Sequence, residues 1–155
     1  MKLSVSGALA YRWDGKKSRL FFQTTPDSYN TVKLISFLKD LKKEMRGRRC
    51  ILIWDGLQAH RSNDMKHYLE SQRGWLQVEA LPGYSPDLNP VESLWGNIKG
   101  QELANRCAED LGEMADALRD GMKRVRRRPS LPFGFLHHTG LFFLTRVVTV
   151  LCETQ

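Results

Sequence analysis

The sequence contains few cysteines, and their spacing excludes the usual cysteine-based scaffolds. The only three among 155 residues are Cys50, Cys107 and Cys152. An odd number at such wide separations encodes neither a disulfide framework nor a C-x-x-C zinc site. We therefore expect a protein of a reducing compartment, the cytoplasm.

The sequence also lacks a long apolar run. Its start, MKLSVSGALAYRWDG, has one lysine and then alternates apolar with small or polar residues, which is typical of a strand and not of a signal peptide. Residues 141–151 are apolar but contain Arg146 and are too short to span a bilayer. They are interpreted either as a buried strand or as an adventitious tail. No membrane partner is expected.

Positive charge is abundant. Lysine and arginine number 24 against 17 acidic residues, which gives a net charge of +7, and 41% of the residues are hydrophobic, enough for the core of one domain. This balance favours a polyanionic partner such as nucleic acid. The densest cationic cluster, and the candidate DNA-binding surface, comprises Lys123, Arg124, Arg126, Arg127 and Arg128. The alternative is a solvated helix end whose cations are favoured by the helix dipole.

Alternating and helical patterns predict an α/β domain. Leu3, Val5, Leu9 and Tyr11 share one face of a strand, and Asp14-Gly15 supplies a turn before a second strand, so the sheet opens with an antiparallel hairpin. Later segments predict further elements: an amphipathic helix from Asn30 to near Gly47, a buried strand at 50–54, a helix capped by Ser62, a strand at 76–80, a helix beginning at Pro90, and a helix from about Glu109 to Arg126 that ends before Pro129.

Two acidic residues follow the predicted strands. Asp55 ends the buried strand, and Glu92 ends the turn-rich segment LPGYSPDLNPVE, residues 81–92. Side chains at the carboxyl ends of such strands converge on one crevice, so the two acids are expected to meet although they lie far apart in the sequence. Two carboxylates can hold a divalent cation with oxygen ligands.

These residues carry a family resemblance. Asp55-Gly56-x-x-x-His60-Arg61-Ser62, followed by LPGYSPDLNPVE and Leu94-Trp95, resembles the DDE endonuclease domain of bacterial insertion-sequence transposases in the mariner-like superfamily. The resemblance implies a ribonuclease H-like fold, a mixed sheet with helices on its faces, over residues 1–140. Residues 141–155 then form a C-terminal tail of uncertain structure.

The resemblance also implies roles for the acids. Asp55 matches the family's second metal-binding carboxylate and Glu92 its third. The family's first Asp stands on a strand upstream of a segment like Lys2 to Tyr11, so the domain is expected to be N-terminally truncated. Asp14 is interpreted as a turn residue and not as a substitute. The cofactor implied is Mg²⁺ or Mn²⁺, two ions in the complete family site.

Each candidate has a structural alternative. Asp55 can be a cap or turn residue, and Glu92 a favourable charge in a first helical turn. His60 either contacts a phosphate or attacking water, or packs and hydrogen-bonds within the fold. Asp87 and Asn89 are predicted to organise their turn through hydrogen bonds to the backbone, with direct metal contact as the alternative. His137 and His138, in a segment rich in Leu and Phe, are interpreted as structural.

The function implied by the resemblance is metal-dependent cleavage and strand transfer of DNA in transposition, by a cytoplasmic, nucleoid-associated protein that forms a homo-oligomer on DNA. Without the first Asp, the chain is expected to be inactive alone. The rival function is a non-catalytic DNA-binding remnant or accessory fragment. A nuclease acting on RNA or branched DNA is a third possibility that the sequence leaves open.

Overall fold

The chain folds around a five-stranded mixed sheet, seen in a computed structural model that describes residues 3–56, 58–104, 110–141 and 148–154. The strands are β1 (Ser4–Tyr11), β2 (Ser18–Thr25), β3 (Cys50–Trp54), β4 (Leu76–Ala80) and β5 (Val148–Thr154). The helices are α1 (Thr31–Glu44), α2 (Asn63–Ser71), α3 (Pro90–Ile98), α4 (Leu111–Arg127) and α5 (Ser130–Thr139).

The strand order is β2-β1-β5-β3-β4. β1 and β2 form the predicted antiparallel hairpin, whereas β3 is parallel to both β4 and β5, and β5 is antiparallel to β1. Of the two interpretations of the C-terminal segment, the strand therefore applies to residues 148–154, while residues 142–147 lie outside the described part. The carboxyl ends of β3 and β4 and the start of β1 share one edge of the sheet, and the turn between β1 and β2 lies at the opposite edge.

Two apolar cores lie on the two faces of the sheet. Along β1 the side chains alternate: Ala8 and Ala10 pack with α1 and α2, whereas Leu9 and Tyr11 pack with α3, α4 and α5. This confirms the predicted face of the first strand. Helices thus cover both faces, and no helix in the described ranges is long and apolar enough to cross a membrane.

Polar caps define where the helices begin. Asn30 accepts a hydrogen bond from the backbone N–H of Lys33, and Ser62 accepts one from that of Met65, as its predicted capping role requires. α1 ends at Glu44, and Gly47, which follows the C-cap Met45 by two residues, has the left-handed conformation, φ 65°, close to the predicted end of the helix.

The C-terminal helices differ from the prediction. α4 begins at Leu111 with Asp110 as its cap, and Glu109 lies outside the described residues. Pro129 ends α4, but α5 follows at once and was not predicted. Its segment contains Pro132 and Gly134, which break a helical pattern in sequence; Pro132 is tolerated because it sits in the first turn, where backbone N–H groups have no intrahelical partner.

Candidate active site

Asp55 leaves the sheet at the carboxyl end of β3. Trp54, the residue before it, is paired with Ala80 of β4, and its carbonyl accepts a hydrogen bond of 2.8 Å from the N–H of Leu81. The segment that leads to Glu92 therefore starts beside Asp55. The two acids, 37 positions apart in sequence, line one cavity of about 450 Å³.

Glu92 is held in place by the start of α3. The buried Asn89 caps this helix, its Oδ1 accepting a hydrogen bond of 3.2 Å from the N–H of Val91, and Pro90 occupies the first turn. In the same helix, Trp95 packs so closely on β1 that a Cβ added to Gly7 would lie 2.8 Å from its ring. The backbone that carries Glu92 is thus fixed to the sheet.

His60 supports Asp55 from inside the protein. Its ring stacks on Trp54 with centroids 3.9 Å apart, and its Nδ1 lies 2.9 Å from the Asp55 carbonyl oxygen and 3.1 Å from Asp55 Oδ1. A carbonyl only accepts, so Nδ1 carries a proton and donates. The His60 side chain is 1% exposed. This geometry matches the packing alternative, because a buried ring does not reach a phosphate in the cavity.

The two other residues predicted to support the site, Asp87 and Asn89, differ in their contacts. Asn89 does organise its turn, but Asp87 is exposed and, among the described residues, its side chain makes no hydrogen bond, so the turn-organising prediction does not hold for it. Asp87 instead lines a second cavity, of about 330 Å³, together with Glu92 and His138.

Two further residues lie at the site: Arg61, to which the sequence pattern assigns no role, and His138, which is interpreted from sequence as structural. Arg61 is exposed and lines the cavity of Asp55 and Glu92. Its place in the motif, one residue after His60, was the sequence feature from which a role at the site could have been predicted. His138 reaches the neighbourhood of Glu92 because α5 packs against α3. No local sequence pattern indicates that contact.

The predicted DNA-binding cluster is largely engaged in contacts within the domain. Arg124 binds Glu102 and donates a 2.7 Å hydrogen bond to Asn97 Oδ1, and the carboxylate of Glu102 raises the pKa of the guanidinium. Arg126 donates to the Leu20 carbonyl at 2.9 and 3.1 Å.

The remaining members of the cluster are exposed. Lys123 is paired with Asp120 at 3.4 Å, and only Arg127 and Arg128 have no partner within the described ranges. The role of the cluster in DNA binding stays a prediction.

The donor set at the cavity suits a hard cation. Carboxylate oxygens are the protein ligands that Mg²⁺ and Mn²⁺ prefer, and one or two of them suffice when water and substrate phosphate complete the shell. In the described part of the chain, no group of three or more His, Cys, Asp or Glu side chains is placed to hold a metal. The fit is therefore to a cation with two protein carboxylates.

The register of β5 brings one more acidic residue to this edge. Cys152 pairs with Trp54 in parallel, so the next position, Glu153, stands level with Asp55 along the sheet. Sequence reasoning did not connect these residues, because nothing in a local pattern shows that the last strand enters the sheet beside β3.

Comparison with known proteins identifies the class. Residues 5–115 match the DDE superfamily endonuclease family, and the chain belongs to that family. The sequence-based resemblance is thereby confirmed; the bacterial insertion-sequence origin and the truncation stay predictions.

Solved structures show the same fold. The catalytic domain of the Mos1 mariner transposase is similar with a TM-score of 0.53 at 17% identity, over 79% of this chain and 69% of that one. The Mos1 transposase in a paired-end complex with the left transposon end gives a TM-score of 0.53 at 18% identity, over 79% of this chain and 40% of that one. No match was found among curated proteins.

Proposed function

We propose that this chain is the ribonuclease H-like endonuclease domain of a transposase, which cleaves DNA phosphodiesters and transfers strands with a divalent metal. The observation that carries the proposal is that Asp55 and Glu92, from segments 37 positions apart, line one cavity in a member of the DDE superfamily. The similar structures are a mariner transposase catalytic domain and a transposase complex with a transposon end, which supports DNA as the partner. Assembly as a homo-oligomer on DNA is part of the proposal.

Asp55 and Glu92 are the residues that would hold Mg²⁺ or Mn²⁺. When bound, the cation supplies Lewis-acid activation of an attacking water or 3′-hydroxyl and stabilises the charge that develops at phosphorus. The two carboxylates orient it, and their separation in sequence means that the folded domain, not a local loop, sets their geometry.

Neighbouring residues act on the carboxylates and on the substrate. His60 holds Asp55 through its Nδ1–H and so limits the rotation of the carboxylate. Arg61, exposed at the cavity, carries a charge that suits a substrate phosphate. His60 is thus a positioning residue, whereas Arg61 is proposed to touch the DNA.

The family resemblance implies three carboxylates. A third negative charge would offset the repulsion between two divalent ions, and two ions stabilise the attacking and the leaving oxygen together.

The test measures metal binding and cleavage separately. Mn²⁺ binding is followed by electron paramagnetic resonance, and nicking of supercoiled and linear DNA is followed with Mg²⁺ or Mn²⁺. Asp55→Asn and Glu92→Gln should abolish Mn²⁺ binding and lower any cleavage rate by about 1000-fold. This corresponds to three tenfold steps in rate, each of about 1.36 kcal/mol in activation free energy. Asp64→Asn and Glu70→Gln, exposed acids on α2, are the matched controls and should change neither.

Mn²⁺ binding that persists in both Asp55→Asn and Glu92→Gln contradicts the metal site itself.

The second candidate function is a non-catalytic DNA-binding fragment. It is favoured by the finding that, among the described residues, no group of three or more His, Cys, Asp or Glu side chains is placed to hold a metal. Under this alternative the chain binds DNA but neither Mn²⁺ binding nor metal-dependent nicking is detected. Those two readouts therefore separate the two candidates.

A further inference from the structure

A second charged cavity lies at the edge of the sheet opposite Asp55. It has a volume of about 290 Å³ and is formed by the turn between β1 and β2 and the chain after α1. Its charged residues, which define the cationic cavity, are Arg12, Lys17, Arg19, Glu44, Arg46 and Arg48.

Three of these cations are available to a ligand. Arg12 is paired with Asp14, and Arg19 with Glu44 at 3.3 Å. Lys17, Arg46 and Arg48 are exposed and make no ion pair in the described part of the chain. The cavity therefore carries uncompensated positive charge on two separate segments.

The stability of the fold does not explain why an arginine stands at position 46. Its φ of 53° lies in the left-handed region, where glycine is favoured, and hydrogen bonds from Arg46 N to Lys43 O and from Gly47 N to Lys42 O fix this turn. Attraction to the C-terminal dipole of α1 accounts for Lys42 and Lys43 in its last turn. It does not account for Lys17, which comes from the hairpin.

The charge continues beyond the cavity. An adjoining cavity shares Arg19 and Glu44 with it and extends to Arg126, which the Leu20 carbonyl holds at the end of α4. The exposed Arg127 follows. Cations spread over two joined cavities suit a repeating phosphate backbone better than a single small anion.

We propose that the cationic cavity binds the phosphate backbone of duplex DNA, at a place separate from the phosphodiester at the cavity of Asp55. Through the register of β5, Asp55 stands level with Gly7 of β1, and Arg12, which lines the cationic cavity, lies five residues further on, so the two cavities are about 17 Å apart along the strand direction. At about 3.4 Å per phosphate, this equals about five phosphate spacings along one DNA strand. The site needs no metal and goes beyond the proposed catalytic function.

The test compares two triple variants that remove the same charge. Lys17→Ala/Arg46→Gly/Arg48→Ala changes the cationic cavity, and glycine at position 46 suits the backbone, so the fold is retained. The control, Lys39→Ala/Lys66→Ala/Arg73→Ala, removes three exposed cations on α1 and around α2 that do not line the cavity. Binding of a fluorescent duplex is measured by anisotropy in EDTA between 50 and 200 mM salt.

The expected result is a flatter salt dependence for the cavity variant alone. Losing three phosphate contacts lowers the slope of log K against log salt by about 2.7. The ratio of the DNA-binding constants of the native chain and the cavity variant should therefore increase about 40-fold from 200 to 50 mM salt. Equal slopes for the native chain and the cavity variant, or equal flattening in the control, overturn the proposal.

Two competitors test the identity of the ligand. Inorganic phosphate at constant ionic strength should not displace the duplex at millimolar concentration, and an RNA hairpin should compete no better than DNA. Displacement by phosphate would show a small-anion site, and preference for RNA a different partner; either result overturns the proposal. Because EDTA removes metal chemistry, the outcome is independent of whether Asp55 and Glu92 catalyse cleavage.

Discussion

The two edges of the sheet carry opposite charges and are built in different ways. At the edge of Asp55, the functional side chains rest on buried polar groups: His60 beneath Asp55 and Asn89 at the start of the helix that carries Glu92. At the edge of the cationic cavity, Lys17, Arg46 and Arg48 are exposed and are placed only by the backbone of two turns.

The two edges therefore differ in what their proposed functions require: precise geometry at the edge of Asp55, and total positive charge at the edge of the cationic cavity. A metal site needs its carboxylates held within fractions of an ångström, which requires packed and hydrogen-bonded support. Attraction of a polyanion depends on the number of charges and tolerates movement of each side chain. Single substitutions should therefore have sharp effects at the first edge and graded effects at the second.

The largest effect on stability is expected from His60→Ala. The change removes a buried ring that stacks on Trp54 and leaves a cavity, which should lower the free energy of unfolding by about 2 to 4 kcal/mol. Urea denaturation measures this loss. The exposed His67→Ala is the control and should stay within about 0.5 kcal/mol of the native chain. Equal stability of the two variants would show that His60 is not a buried support.

Asn89→Ala should have the next largest effect and connects stability with the site. Loss of this cap should reduce the free energy of unfolding by about 1 to 2 kcal/mol and weaken Mn²⁺ binding, because Glu92 lies in the first turn that the cap stabilises. Asn30→Ala removes the cap of α1 and is the matched control. It should cost about 1 kcal/mol and leave Mn²⁺ binding unchanged. Equal Mn²⁺ affinity in both variants would contradict the link between cap and site.

Tyr11→Phe tests a buried polar contact at the cationic end of β1, comparable to the buried polar contacts that support the edge of Asp55. The Tyr11 hydroxyl donates to the Pro132 carbonyl at 2.6 Å, and its loss should cost about 1 kcal/mol at pH 7.

The pH dependence of that variant gives a second readout. Burial raises the pKa of Tyr11 above its ordinary value of 10.0. Above pH 10 the unfolded tyrosine ionises while the folded one keeps its proton, so the native chain loses up to about 1.4 kcal/mol of stability per pH unit from this group. Tyr11→Phe should lack this part of the loss. The exposed Tyr84→Phe should retain it, and identical alkaline profiles for all three chains would contradict the assignment.

The smallest effect is expected from Arg46→Gly. Glycine relieves the left-handed backbone but adds freedom to the unfolded chain, so the free energy of unfolding should stay unchanged or rise by up to about 1 kcal/mol. Thermal and urea denaturation measure it. A loss above 1 kcal/mol would mean that the Arg46 side chain supports the fold, and the two edges would then be less different than proposed.

Much of the fold is visible in local patterns. The alternation in Leu9 and Tyr11, the helix between Asn30 and Gly47, and the cap at Ser62 depend on interactions within a few residues, and the structure has them where the sequence places them. Asp55 and Glu92 were also predicted from sequence, because each directly follows or ends a recognisable segment; both line one cavity, and their catalytic role stays a proposal.

Residue roles were less predictable where they depend on distant neighbours. Arg124 and Arg126 belong to a dense run of cations in sequence, yet Glu102 and the Leu20 carbonyl engage them. His60 lies in the motif, but its 1% exposure depends on Trp54 stacking against it. Whether a charged or polar side chain is free for a ligand is set by which elements pack beside it.

The sequence by itself determined the local elements, the family motif and the identities of Asp55 and Glu92, because short-range periodicity and spacing are properties of neighbouring residues. Only the tertiary structure decided that β5 lies between β1 and β3, that α5 brings His138 near Glu92, and that the hairpin turn meets the end of α1 in a cationic cavity. These contacts join segments far apart in the chain. Their geometry follows from burying two apolar faces of one sheet, which no local pattern specifies.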